Sequence, residues 1–188
     1  IILNLIFGSS IKPENSNEIE SIQIISKTNK KYTYYHLDND GEIIFDNLER
    51  ILRKDRNYII KIMARTPISK NSNSNKAFGF NLNINHRGKN IISDDLKYKQ
   101  RISKVLKADK KGMHFTDAGY WVEEIFSPNN LRIKVKSINS PDVYLKVSYE
   151  EIIPLETKKA IYPIQQKTYS TLYLDYENSP TKKSIKWY

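Results

Sequence analysis

Side chains that could do chemistry are few in this chain and lie far apart. Its three histidines, His36, His86 and His114, are isolated in sequence, and cysteine is absent. No pair of imidazoles or thiolates therefore has metal-ligand spacing, and disulfides, cysteine nucleophiles and a cysteine-linked lipid anchor are excluded. His36, Asp38, Asp40 and Gly41 match part of a calcium loop, with Gly41 at its sixth position and acids at the third and fifth. That register puts His36 where a carboxylate is needed and Asn47 where a bidentate Glu is needed, so a plain turn is expected. His114 stands near Asp117 and Glu123-Glu124, residue types suited to general acid and base work if held within hydrogen-bond reach. Adjacent Glu123 and Glu124 would point to opposite faces of a strand, however. There is no nucleophile elbow, phosphate-cradling glycine loop or HExxH. The expectation is a non-enzymatic chain with no catalytic residue, no cofactor and no metal.

Cations and rings do interleave. Lys30-Lys31-Tyr32-Thr33-Tyr34-Tyr35-His36 and Lys97 to Arg101 have the composition of a stacking platform for single-stranded nucleic acid, although packing on a half-buried strand produces the same strings. Arg132, Lys134 and Lys136 form a ridge on one side of an alternating run, and Tyr144 and Lys146 fall on the polar side of the next. These five residues are the candidate surface for a polyanion or a protein partner. Lys plus Arg exceed Asp plus Glu by 31 to 21, a net charge of +10 with a pI near 9.5. Such a balance admits polyanionic partners, but the basic residues are spread in ones and twos among acids.

These residues must be held by elements that alternation and turn chemistry outline. A first module runs from about 20 to 66. Ile22 and Ile24, then Tyr32, Tyr34 and His36, alternate with polar residues as strands do, and Asp38 to Gly41 is a turn. Asp46 caps a predicted helix over Asn47 to Lys54, with Leu48, Ile51 and Leu52 on its apolar face, and Tyr58 to Met63 is the next strand. Phe45 to Thr66, F-D-N-L-E-R-I-L-R-K-D-R-N-Y-I-I-K-I-M-A-R-T, resembles one βαβ segment of the OmpA-like peptidoglycan-binding domains over 22 of 188 residues. The downstream sequence lacks the Asp and Arg pattern by which that family holds the cell-wall peptide, so the resemblance is not carried to a function.

Pro67 to Lys76 is polar and low in complexity, an exposed loop or a linker, with the loop favoured. Ala77 to Asn85 places Phe78, Phe80, Leu82 and Ile84 at period two. Ser93 to Lys107 is predicted as a helix, capped by Ser93 and striped by Ile102, Val105 and Leu106; the alternative is a strand with Leu96, Tyr98, Ile102 and Leu106 on one face. Tyr120 to Phe126, Leu131 to Ser137 and Val143 to Tyr149 are expected to form an antiparallel meander, with Phe78 to Ile84 and Tyr169 to Tyr176 as a second layer against its apolar face.

The fold class is thus mainly β (α+β), an antiparallel β-sandwich-like core with one or two short helices, in a single domain over 11–188 with sub-modules at 20–66 and 77–177. Ile1 to Phe7, all apolar but Asn4 and followed by Gly8-Ser9-Ser10, reads as the end of an export signal, so 1–10 is expected to be a signal-peptide remnant. No other stretch nears the roughly 18 to 20 apolar residues of a membrane span. The function expected is an exported β-sandwich of the periplasm or cell surface that binds another protein or the envelope. The alternative is an intracellular basic protein that binds nucleic acid or another polyanion.

Overall fold

Apolar side chains at every second position leave strands as the only economical way to bury one face, and the chain is almost entirely strand. The computed structural model describes residues 9–46, 48–104, 106–110, 112–138 and 142–153. The chain divides into two compact units, Ile1–Ile152 and Ile153–Tyr188, and the described strands all lie in the first. In chain order these are β1 (Ser9–Ile11), β2 (Ser21–Ile25), β3 (Lys31–Leu37), β4 (Glu42–Phe45), β5 (Asn57–Arg65), β6 (Pro67–Ile68) and β7 (Lys76–His86). They continue with β8 (Lys89–Gln100), β9 (Lys107–Ala108), β10 (His114–Phe115), β11 (Gly119–Phe126), β12 (Arg132–Ser137) and β13 (Val143–Glu151).

All pairings among the described strands are antiparallel. The larger sheet runs β11-β5-β13-β3-β2-β9, and β1 pairs with β13 beside β3. The smaller runs β4-β12-β7-β8, and β6 and β10 form a short ribbon. The two sheets face each other across Tyr58, Ile60 and Ile62 of β5, Leu145 and Val147 of β13, Phe80, Leu82 and Ile84 of β7, and Ile133 and Val135 of β12, all buried. This is an antiparallel β-sandwich.

Several expectations change. The predicted helix after Asp46 is a single 3-10 turn, Leu48–Arg50, with Leu48 and Leu52 buried and Ile51 exposed. β4 and β5, on either side of it, lie in different sheets, so the βαβ reading of this segment fails. Of the predicted helix Ser93 to Lys107, Ser93 to Gln100 is strand. Arg87 and Gly88, at φ 54° and 74°, make the left-handed two-residue turn of a tight hairpin, and β8 then pairs with β7 from His86↔Lys89 to Lys76↔Gln100. A ladder of that length outweighs the modest helical preference of the segment. Leu96 and Tyr98 pack on the core, as the strand alternative had it. The last three strands do not form a meander, because β11 and β13 belong to the larger sheet and β12 to the smaller. Turn residues mark where the chain reverses but not whether it returns in the same sheet; here Ser127 and Asn130, both at positive φ, carry it across. Tyr169 to Tyr176 lies outside the described residues. Ser9 and Ser10, assigned to a leader by the sequence, are strand residues paired with Tyr149 and Ser148, and Ile11 is buried.

Candidate functional site: the outer face and open edge of the larger sheet

The residues singled out from sequence do not form one surface. Arg132, Lys134 and Lys136 lie together on the outer face of the smaller sheet, where carboxylates of and beside β4 meet them. Lys134 and Lys136 reach Glu42 at 2.7 and 3.3 Å, and Arg132 reaches Asp46 at 3.3 Å. Burial pushes the Glu42 carboxyl up, but hydrogen bonds from both lysines outweigh it and hold it below its ordinary value. Three cations thus face two carboxylates. The ridge therefore carries less uncompensated positive charge than its three cations suggest.

Tyr144 and Lys146 are on the other sheet and, contrary to the expected polar face, are buried. β13 is a central strand covered on both sides. Outside it, Ile22, Ile24, Tyr34 and Tyr144 form a second apolar cluster with Phe115, joined by Tyr32, Met63, Leu106 and Met113. The connection from β8 to β11 folds back over this part of the sheet. It is held there by Arg65, buried, whose Nη1 donates to the Thr116 carbonyl at 2.6 Å, and by Lys110, whose Nζ donates to Glu20 at 2.8 Å. Lys146 is 3 % exposed with its Nζ 4.3 Å from the Tyr32 ring centroid. Burial, assisted by the charge of Lys61, lowers its pKa to about 8.

The histidines remain apart. His36 stacks on Tyr144 at 4.8 Å and lies between Glu20 at 3.5 Å and Asp142 at 3.3 Å. His86 Nε2 is 3.1 Å from the Ser127 carbonyl oxygen. His114, on β10, borders a polar cleft with Ser72, Ser74 and Lys76, whose Nζ donates to the Pro67 carbonyl. Among the described residues no group of three or more His, Asp or Glu side chains could hold a metal ion. Glu123 and Glu124 are both exposed on β11, and Lys97 to Arg101 spans the end of β8, where Arg101 pairs with Asp117 at 3.3 Å.

What the sequence did not single out is the part of the larger sheet that the β8–β11 connection leaves bare. Tyr120, Val122, Glu124 and Phe126 alternate along the outer face of β11. The three apolar ones are 55 %, 48 % and 57 % exposed. Register sets them beside Met63, Lys61, Ile59 and Asn57 of β5. A shallow depression runs over Ile59, Val122, Glu124 and Phe126, and Lys61 Nζ is 5.9 Å from the Tyr120 ring. Exposed apolar side chains clustered on one sheet face, unlike scattered ones, mark an interaction surface. Gly119 shapes its upper end, since a Cβ there would overlap the Tyr98 ring, whose hydroxyl donates to the Tyr120 carbonyl at 3.2 Å.

No protein-family model matches the chain, and no curated protein does. Among solved structures it is similar to the CBM22-2 xylan-binding domain of Paenibacillus barcinonensis Xyn10C, at TM-score 0.37 and 9 % identity over 73 % of this chain and 94 % of that one. A second is CBM51 from Clostridium perfringens GH95 in complex with methyl-galactose, at TM-score 0.33 and 13 % identity over 76 % and 88 %. A third is the CBM22-1-GH10 part of Clostridium thermocellum Xyn10B complexed with xylohexaose, at TM-score 0.32 and 8 % identity over 69 % and 24 %. Likeness at this level does not identify a ligand.

Proposed function

We propose that this chain is a non-catalytic binding β-sandwich, and that it docks a partner protein on the outer face of the larger sheet around Tyr120, Val122 and Phe126. The observation that carries this reading is the exposure of three large apolar side chains on one face of one edge strand, while the same sheet face over β2, β3 and the start of β13 is covered by the β8–β11 connection. Aromatic anchors beside apolar neighbours are the usual centre of a protein interface. The basic ridge, with its carboxylates alongside, supports polyanion binding less well. The apolar run Ile1 to Phe7 supports export to the periplasm or cell surface. Among the described residues no helix is long and apolar enough to cross a membrane.

Photo-crosslinking tests this. Benzoylphenylalanine at position 126 should give a discrete protein adduct in the native compartment, and the same group at position 134 should not. Equal adducts from both positions would contradict the reading. Loss of the position-126 adduct on adding xylan or methyl-galactose would replace the protein partner by a glycan on the same face.

A further inference from the structure

Resting on that face as the docking site, we infer that the partner is engaged by strand addition: an extended segment with apolar, basic and apolar residues at alternate positions pairs antiparallel with the open edge of β11. The ladder fixes which groups are free to do this. Because the Tyr120 carbonyl accepts from Tyr98, the backbone groups of Tyr120, Val122 and Glu124 point away from β5, and those of Trp121 and Glu123 point toward it. The upper end of this edge is closed by the smaller sheet, where Gln100 Nε2 donates to the Ala118 carbonyl at 3.3 Å and Tyr98 to that of Tyr120. Among the described residues no strand lies beside Val122 and Glu124. An unpaired edge flanked by exposed Val122 and Phe126 is a template for another strand.

Charge selects the occupant. Neither Glu123 nor Glu124 is in an ion pair among the described residues, on a chain that is otherwise strongly basic. A second copy of β11 fits poorly. Pairing that centres on residue 124 sets Glu124 against Glu124, and pairing that centres on 123 sets Glu123 against Glu123, both destabilising. A basic residue opposite Glu124 and another opposite Glu123 turn the same positions into attraction, with apolar residues beside Val122 and Phe126. The other long edge, β8, carries Lys97, Lys99, Asp94 and Asp95 as exposed charges, which is how edges are kept from pairing.

The probe is the peptide Thr-Leu-Thr-Lys-Arg-Leu-Thr, capped at both ends, titrated calorimetrically with amide exchange followed at Val122 and Glu124. Strand addition predicts binding, with exchange at both amides slowed by about tenfold or more at saturation. Val122→Pro removes an outward N–H without touching the β5 ladder, so it should keep the melting temperature and weaken binding by about tenfold or more, whereas Val122→Thr weakens it by only about threefold. N-methylation of the peptide lysine, whose N–H would face β11, should abolish binding, and so should replacing Lys-Arg by Glu-Glu. This arm also decides the matter if the proline variant fails to fold. A peptide that binds equally well when N-methylated, yet is lost with Phe126→Ser, would overturn strand addition and leave the docking face standing. No binding of the parent peptide would also overturn strand addition, and crosslinking at position 126 separately decides the face.

Discussion

Lys146 carries the sharpest conflict between a side chain and its place. Its ammonium sits under Tyr32 on a strand covered on both sides, and burial has lowered its pKa from 10.5 to about 8. Between those values the unfolded chain binds more protons than the folded one, so this residue's contribution to stability rises with pH from about 8 to 10.5 and is unfavourable below. Lys146→Met should therefore stabilise the fold at pH 7 by about 1 to 3 kcal/mol, and the gain should shrink as the pH approaches 10.5. Chemical unfolding of both proteins across that range checks it. A less stable variant at pH 7 would mean that the cation–π contact with Tyr32 outweighs desolvation. Ile133→Ala, in the core, should cost about 2 to 5 kcal/mol and Lys134→Ala, its outward neighbour, within about 0.5. The period-two pattern assigned Ile133 and Lys134 to their faces, and the structure agrees. For Lys146 it could not, since alternation tells which side a residue is on and not whether that side is later covered.

At the scale of elements, what was legible were strands with a single apolar face. β7 and β12 needed only their own residues to be read. β8 needed its partner, because Ser93 to Lys107 looks helical until the left-handed turn at Arg87-Gly88 starts a hairpin with β7. The candidate site fell to the same kind of ignorance. Tyr120 to Phe126 carries large apolar side chains and one glutamate on each face, so alternation does not tell which face is buried, and only the topology reveals it as an edge with one face bare. Gly119→Val should displace Tyr98 and free the Tyr120 carbonyl, visible as faster exchange or a shifted indole signal at Trp121 with a melting temperature lower by several degrees, roughly 1 to 2 kcal/mol. An unchanged melt and spectrum would show that the ring has room to move. β1 belongs to the sandwich, so Ile11→Ala should cost about 2 to 5 kcal/mol in the same assay. A neutral result would detach β1 from the core.

For the whole molecule, the net charge of +10 is the most visible number in the sequence and a poor guide to the proposed docking face. The three cations of the ridge lie against two carboxylates, Glu42 and Asp46, and Glu123 and Glu124, considered from sequence for acid and base work, stand instead on the edge strand of the larger sheet. Binding to heparin or single-stranded DNA should be weak and steeply salt-dependent, with Kd no tighter than about 10⁻⁴ to 10⁻⁶ M. The most direct measurement compares partner retention by three proteins purified from the native compartment: the wild type, Tyr120→Ser with Phe126→Ser, and the Ala triple variant of Arg132, Lys134 and Lys136. A partner kept by the wild type and the triple variant but lost by the face variant is the expected result. Nanomolar heparin or DNA binding that survives about 200 mM salt and vanishes only in the triple variant would contradict it.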